Sequence, residues 1–271
     1  MKKYIYFIIP FFIFSCKDGK STRLENNQNS IPKIVEKESF INEKENIIID
    51  RFSVPKGFKR ENYNQKEFGY FLQNLQLKEF GTLVQYYNRK EKPINNVYNA
   101  VIDLPIGNKD LHQCADATMR LRADYLYQQK RYDEISFNFL SDGKPRYFLD
   151  FAKNDFSKEN YWKYLEYVFS YANTASLKEQ LNSVNYKNIT IGDILIQKGN
   201  PFGHAVIVVD LAKNKNGDKI VLLAQSYMPA QELQILNNPL TDKNNPWYKV
   251  QEGKINTPEW SFTSEDWKTW D

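Results

Sequence analysis

Apolar positions are concentrated at the start of the chain, where residues 4–14 are almost wholly apolar and follow two lysines. A basic start followed by an apolar run is typical of a secretory signal, and this run is too short to span a bilayer as a permanent helix. The pattern therefore predicts a signal peptide over residues 1–15.

Polar residues are frequent in the next segment, residues 17–49, where apolar positions are scattered among Lys, Glu, Asn and Ser. Such a segment buries too little apolar surface to offset the entropy lost on ordering, so it predicts a flexible tether. A short helix over residues 35–45, packed on the folded part, is the alternative. The predicted organisation is a signal at 1–15, a tether at 16–49 and one globular domain at 50–271.

Helical spacing of apolar residues predicts helices over residues 65–75 and 161–172. A longer helix is predicted to begin at Asp110, an N-cap followed three residues later by Gln113. Thr174 is the predicted N-cap of a further, shorter helix. All four helices lie before the last third of the chain.

Alternating or continuous apolar runs predict strands, and most of these lie in the carboxyl half. The predicted extended segments are 83–87, 97–104, 135–139, 189–196, 204–210 and 219–225. Residues 213–218 predict a hairpin loop between the last two strands. Residues 237–271 hold four tryptophans and predict an irregular wrap fixed by apolar anchors. Helices gathered before strands indicate an α+β domain, with helices packed on a mainly antiparallel sheet.

The composition of the 271 residues narrows the classes of function. Hydrophobic residues make up 41% and charged residues 26%, which excludes a disordered or collagen-like chain. A formal net charge of +4 is too weak a basic bias for a nucleic-acid binder. Two cysteines and two histidines cannot build a zinc ribbon or a disulfide scaffold. With no metal-ligand spacing and no phosphate-binding glycine loop in the sequence, we expect no metal, no cofactor and no nucleic-acid partner.

A cysteine follows the apolar run, because Ser15 is succeeded by Cys16. A small residue before a cysteine at this point resembles the lipobox of bacterial lipoproteins. The resemblance implies cleavage before Cys16 and a diacylglycerol on its thiol, and hence a cell-envelope protein anchored to a membrane and facing the periplasm or the cell surface. The alternative is an ordinary signal peptide with an incidental Cys16. A lipid on Cys16 would leave Cys114 as the only free thiol.

A cysteine near a predicted helix start and a histidine on a predicted strand form the pair that a thiol hydrolase needs. The thiolate is the nucleophile, and the helix dipole at Cys114 would favour the anion. His204 would take the proton and return it to the leaving group. An assumed hairpin register places His204 beside Ser226, with Gln225 one step off, so either side chain could orient the imidazole. An inert core thiol is the alternative for Cys114.

Four segments together look like a family of Bacteroidota lipoproteins that carry domain of unknown function 4846. The similarity covers residues 52–270 and implies a cell-envelope lipoprotein, without an established activity. The segments are 113–122 (QCADATMRLR), 191–194 (IGDI), 203–210 (GHAVIVVD) and 222–231 (LLAQSYMPAQ).

The order of these motifs is also similar, more distantly, to that of NlpC-type cell-wall peptidases and CHAP amidases. Those proteins have a cysteine at a helix start, a Gly-Asp strand, a Gly-His strand and then a polar residue on the next strand. The similarity implies a papain-like arrangement, with Cys114 as nucleophile, His204 as general base and Gln225 as the orienting group. The chain departs from the peptidases at Gln-Cys-Ala-Asp, where they usually have Asp-Cys-Ser-Gly, and Asp116 would oppose a thiolate.

Further side chains are candidates for the site. Arg120 and Arg122 could bind a substrate carboxylate, with ion pairs to nearby aspartates as the alternative. Tyr227 could line the cleft or simply pack, and His112 is expected to be exposed at the capping turn. We expect a cell-envelope lipoprotein that acts as a thiol peptidase or amidase on peptidoglycan peptides. The alternative is a non-catalytic binding or structural lipoprotein with an inert Cys114.

Overall fold

The computed structural model describes residues 39–93, 96–242 and 244–270. The predicted signal peptide, Cys16 and most of the predicted tether lie outside these residues. The last part of the predicted tether lies within them, and there Ile48 is fully buried and begins a short helix.

The described residues form six α-helices and thirteen strands. The helices are α1 (Ile48–Arg51), α2 (Phe68–Gln73), α3 (Cys114–Gln128), α4 (Phe148–Ala152), α5 (Lys158–Tyr171) and α6 (Thr174–Gln180). The strands are β1 (Phe58–Arg60), β2 (Tyr98–Val101), β3 (Ser136–Asn138), β4 (Pro145–Tyr147), β5 (Asn182–Ser183), β6 (Ile194–Gln197), β7 (His204–Asn214), β8 (Lys219–Gln225), β9 (Gln234–Leu236), β10 (Tyr248–Lys249), β11 (Lys254–Asn256), β12 (Ser261–Thr263) and β13 (Trp267–Thr269).

Nine strands of the described chain form one sheet, in the order β2-β9-β8-β7-β6-β13-β5, with β1 paired to β7 and β10 to β8. The pairs are antiparallel, as are those of two separate hairpins, β3–β4 and β11–β12. Helices α2 and α3 pack against β7, so the longest helix and the longest strand lie together in the core. The α+β class with a mainly antiparallel sheet is confirmed.

The central strands β7 and β8 are continuous apolar runs, and their residues are buried almost without interruption. This pattern is typical of strands that are covered on both faces. Asp210 on β7 is a charged residue among these apolar runs, and its buried carboxylate has hydrogen-bond partners. It lies 2.8 Å from Arg60 Nε and also 2.8 Å from Gln73 Nε2. These two contacts tie β1 and α2 onto the centre of the sheet.

Two helices begin at caps other than the predicted ones. Helix α3 has Gln113, not Asp110, as its N-cap, because Asp116 in the first turn accepts the backbone N–H of Gln113 at 3.0 Å. Helix α6 has Asn173, not Thr174, as its N-cap, because the Asn173 side chain accepts two backbone N–H groups. In each case the cap that forms satisfies backbone donors that the helix start leaves free.

Several strand predictions are only partly met. Residues 219–225 form β8 with the predicted bounds, whereas residues 189–196 contribute only the last part of their run to β6. Residues 83–87 make isolated bridges and no strand. The prediction of an irregular wrap over residues 237–271 is wrong in part, because the described residues of this segment form four short strands, and two of them, β10 and β13, enter the main sheet.

The assumed register of the β7–β8 hairpin is also wrong. Ile207 lies opposite Ala224, and this is the last pair of the ladder toward the beginning of β7. His204 therefore lies beyond the paired part of the hairpin, and Ser226 is not its partner. The assumption paired Leu211 with Lys219, whereas Leu211 lies opposite Val221. The register shifts once more between Val208 and Asp210.

Trp267 on β13 offers a test of the sheet, because its side chain is only 1% exposed and its backbone pairs with Leu195 of β6. Trp267→Ala should lower the free energy of unfolding by about 3–5 kcal/mol through lost burial and the cavity left behind. Leu240→Ala removes a side chain that is 75% exposed and should change stability by less than about 0.5 kcal/mol. Urea unfolding of both variants makes the comparison, and equal midpoints would contradict the placement of β13 inside the sheet.

Candidate functional site

Cys114 is the first residue of α3 and lines a cavity of about 460 Å³. The cavity lies between the start of α3, the start of α6 and the loop that precedes β7, and these elements contribute Asp116, Thr174 and Phe202 to its wall. Phe202 and Leu140, which also line the cavity, are exposed side chains. The cavity therefore opens to solvent between apolar groups.

Cys114 is buried, with only 5% of the residue exposed, and its sulfur contacts polar atoms. It lies 3.7 Å from Thr174 Oγ1 and 3.9 Å from the carbonyl oxygen of Gly203. A Cβ at Gly203 would lie 2.2 Å from the Gln197 carbonyl oxygen, so only glycine fits here without a shift of the backbone. The contact of the sulfur with the Gly203 carbonyl oxygen places it against the backbone immediately before His204.

The thiol of Cys114 is held in its uncharged form. Burial raises its pKa above the ordinary value and the nearby Asp116 raises it further, while hydrogen bonds from Thr174 and the backbone only oppose this rise. Burial also raises the pKa of Asp116 to about 8, so this carboxyl is mostly protonated at neutral pH. The expectation that the helix start favours the thiolate is not met, because loss of solvent outweighs the helix dipole.

His204 is the first residue of β7 and is 1% exposed. Its Nε2 lies 2.8 Å from Gln225 Oε1 on the neighbouring strand. Burial lowers the pKa of His204 to about 4; the Gln225 hydrogen bond opposes this, and the Lys92 charge adds to it. The ring is therefore neutral at pH 7. The hydroxyl of Ser226, the other predicted partner, contacts backbone carbonyl groups instead.

Aromatic side chains surround the His204 ring and exclude solvent from it. The ring centroid lies 4.8 Å from that of Tyr227, 5.3 Å from that of Trp260 and 5.9 Å from that of Phe262. Tyr227, a predicted substrate-binding residue, is thus placed beside the candidate base. Trp260 and Phe262 come from the carboxyl segment, which the sequence predicted as an anchored wrap without a link to the site.

Gln225 joins His204 to an ion pair between a buried lysine and a partly exposed glutamate, which the sequence did not predict. Its Nε2 donates to Glu259 Oε2 at 2.7 Å, and Lys92 Nζ lies 2.8 Å from each oxygen of the same carboxylate. Burial lowers the pKa of Lys92, and its bond to Glu259 opposes that shift. Lys92 and Glu259 are 167 positions apart and adjoin none of the recognised motifs, so no local signal could have found them.

The candidate nucleophile contacts the backbone next to the candidate base, and no direct hydrogen bond joins the two side chains within the described part of the chain. The sulfur contacts the carbonyl oxygen of Gly203, and His204 is the next residue. The arrangement supplies an uncharged thiol, which lines the cavity, and an uncharged imidazole at the start of β7, which is buried and does not line it. These are the groups from which a nucleophile and a general base are made.

A comparison with protein families finds that Domain of unknown function (4846) matches residues 48–153 and 142–269. The chain belongs to this family. The 4846 domain includes Cys114, His204 and Gln225. No curated protein and no solved structure matches the chain.

Two further properties concern the part of the 4846 domain that the structure describes. There, no three His, Cys, Asp or Glu side chains are grouped closely enough to hold a metal ion. Nor is any helix of that part long and apolar enough to cross a membrane.

Arg120 and Arg122, the predicted carboxylate-binding residues, do not line the cavity of the 4846 domain that holds the cysteine. Arg120 pairs with Asp124, at 3.3 Å between Nε and Oδ2, and its guanidinium lies 4.9 Å from the centre of the Trp162 ring. The guanidinium of Arg122 lies over the Phe68 ring at 5.2 Å. The structure therefore does not bring either arginine to the candidate site.

His112 is buried in the 4846 domain, and the prediction of an exposed residue is wrong. The segment before α3 packs against α5 and the end of β8, where the His112 ring meets Phe169 edge-on at 5.7 Å. Neither ring nitrogen has a hydrogen-bond partner among the described residues. Burial holds the pKa of His112 well below its ordinary value, so the ring is uncharged.

The raised pKa of Cys114 predicts how the thiol responds to an alkylating reagent. Iodoacetamide labelling of the native protein should rise with pH and reach half its maximum above the ordinary pKa of a thiol, because only the thiolate reacts. Asp116→Asn should accelerate labelling above pH 8, where this carboxylate is charged and opposes the thiolate. The expected gain is roughly twofold to tenfold, which corresponds to a pKa change of up to one unit.

Asp110→Asn is the matched control for this labelling, because Asp110 lines the same cavity and does not contribute to the shifted pKa of Cys114. It should label like the native protein at every pH. An Asp116→Asn variant that labels no faster at pH 9, or faster already at pH 6, contradicts the electrostatic account.

Proposed function

We propose that the protein is a thiol peptidase or amidase with a papain-like site. Cys114 is the nucleophile, His204 the general base and Gln225 the residue that orients the imidazole. The observation that carries this proposal is the hydrogen bond between His204 and Gln225, which lie on adjacent strands. His204 begins β7, and the Cys114 sulfur contacts the residue just before it, Gly203. The open cavity at Cys114 gives a substrate access to the sulfur.

The uncharged state of both groups determines the first step. The thiol turns from Gly203 to the His204 ring, its proton passes to a ring nitrogen, and the sulfur bonds to the substrate carbonyl carbon. The C–N bond then breaks, and the ring proton leaves on the amine. Water attacks the resulting thioester while the ring takes one of its protons. The acid product departs and the thiol is restored.

The substrate class and the location belong to the same proposal. The apolar start of the chain and the Ser15-Cys16 pair support a lipid-anchored protein of the cell envelope, facing the periplasm or the cell surface. Peptide material of the cell wall is the amide substrate found in that compartment. The membrane, reached through a lipid on Cys16, and peptidoglycan peptides are therefore the proposed partners.

One observation favours a second function. The Cys114 sulfur is buried, the pKa of its thiol is raised, and its hydrogen-bond neighbours are Thr174 and Gly203 rather than the imidazole. A buried thiol of this kind is typical of an unreactive core cysteine. In that case the domain is a non-catalytic lipoprotein whose cavity binds a ligand without cleaving it.

Hydrolysis of purified muropeptides by the full chain distinguishes the two functions. Mass spectrometry should detect new peptide fragments with the native protein and none with Cys114→Ala, while His204→Ala should lower kcat/KM by about 10²–10⁴-fold. Leu240→Ala, which changes a residue outside the cavity of Cys114, should leave the rate unaltered. Fragments that Cys114→Ala still releases would contradict Cys114 as the nucleophile, and no cleavage by the native protein would support the non-catalytic function.

The pH profile supplies a second signature of the same reaction. A base is active when it is unprotonated, and the pKa of His204 is lowered to about 4. The acid limb of kcat/KM should therefore fall near pH 4, and the enzyme should keep its activity at pH 5.5, where an ordinary imidazole is mostly protonated. An acid limb near pH 6.5 would contradict the assignment of His204 as base.

The proposed anchor has its own test, independent of catalysis. The full chain, expressed in a bacterium that processes lipoproteins, should lose residues 1–15 and carry a diacylglycerol on Cys16. Mass spectrometry of the amino-terminal peptide measures both changes. Cys16→Ser, which removes the lipobox cysteine, should abolish both changes; an unmodified Cys16 in the mature native chain would rule out the anchor.

A further inference from the structure

We infer that Glu259 and Lys92 are positioning residues, which hold the Gln225 amide in one orientation and so fix the His204 proton on Nε2, leaving Nδ1 as the basic atom. The inference deepens the proposed function and rests on it for its catalytic meaning. Its structural content, the position of a proton on one imidazole, can be measured without any substrate.

The ion pair is the fixed end of the network. Lys92 Nζ lies 2.8 Å from both oxygens of the Glu259 carboxylate, and the lysine is only 3% exposed. The ammonium can donate to both oxygens, so each oxygen of the carboxylate accepts a hydrogen bond. An ionised carboxylate accepts hydrogen bonds and has none to donate. Glu259 therefore requires a donor from its next neighbour, Gln225.

The Gln225 amide has two ends, and Glu259 decides which one faces it. The NH₂ group donates to Glu259 Oε2 at 2.7 Å. Rotating the amide by half a turn would place its oxygen against the carboxylate, where two acceptors repel each other. The oxygen of Gln225 therefore faces the opposite way, toward the His204 ring.

The ring tautomer follows from the orientation of the amide. Gln225 Oε1 lies 2.8 Å from His204 Nε2 and can only accept, so the Nε2 atom carries the hydrogen. A neutral imidazole has a single N–H, so the lone pair available to a thiol proton is on Nδ1. Tyr227 and Trp260 pack against the ring and limit its rotation, which would otherwise exchange the two nitrogens.

A purely structural role for the ion pair is the competing account. Lys92 precedes β2 and Glu259 precedes β12, so the pair also joins two distant segments of the chain. Loss of such a link lowers stability without specifying a tautomer. Stability alone therefore does not test the inference, and the state of the imidazole does.

Nitrogen-15 NMR of the histidine rings in the full, untagged chain reads the tautomer directly. The chain has two histidines, so His112 serves as an internal reference beside His204, and His204→Asn assigns the two sets of signals. At pH 7 the native protein should show His204 protonated on Nε2. A native ring protonated on Nδ1 overturns the inference without any further variant.

The double variant Lys92→Met and Glu259→Gln removes both charges together, which avoids leaving one charge buried alone. It should release the Gln225 amide and shift His204 toward a mixture of tautomers, with His112 unchanged. Glu259→Asp keeps a carboxylate and should retain much of the native tautomer. A double variant that folds, as judged by circular dichroism, and keeps the native His204 signals overturns the inference.

Muropeptide hydrolysis then separates this inference from the proposed function. The double variant should lower kcat by about tenfold to 10²-fold with little change in KM, as supporting contacts behind a reactive group commonly do. Native protein that cleaves nothing, together with a tautomer shift in the double variant, contradicts the hydrolase and upholds the positioning role. Cleavage by the native protein, together with unchanged His204 signals in the double variant, upholds the hydrolase and contradicts the positioning role.

Discussion

The start of β7 is the point on which the arrangement of the site depends. There the chain passes so close to β6 that a Cβ on Gly203 would collide with the Gln197 carbonyl oxygen. The carbonyl oxygen of the same Gly203 lies 3.9 Å from the Cys114 sulfur at the start of α3, and the next residue is His204. Helix, sheet and imidazole thus converge on one position that only glycine fits.

Exclusion of water is the second constraint, and it keeps three ionisable groups uncharged at neutral pH. The thiol, the Asp116 carboxyl and the imidazole are all buried, and each has its pKa shifted toward the uncharged form. Burial lowers the pKa of Lys92 as well, but its hydrogen bond to Glu259, 2.8 Å away, opposes that shift. The site therefore combines an uncharged reactive pair with a charged pair one side chain away.

Much of the fold could be predicted from the sequence because it depends on local patterns. The apolar run of residues 219–225 predicts β8 with its bounds. Because the run follows the Gly203–Asp210 segment across a short loop, a hairpin is expected that brings Gln225 near His204, and the two side chains are hydrogen-bonded. The N-cap of α6 was predicted wrongly because Asn173 and Thr174 are neighbours and both suit a helix start. The His204 surroundings could not be predicted, because Lys92 and Trp260 reach the ring only through tertiary packing.

The strand β13 lies between β6 and β5 in the sheet, although it comes about 70 positions after β6 in the chain. During synthesis β6 consequently has no neighbour on this side, and its hydrogen-bonding groups there stay unpaired until this late segment arrives. The domain therefore cannot fold cooperatively until nearly the whole 4846 sequence has been synthesised. A nascent or truncated chain without β13 would present a bare strand edge, the kind of surface through which proteins associate with one another.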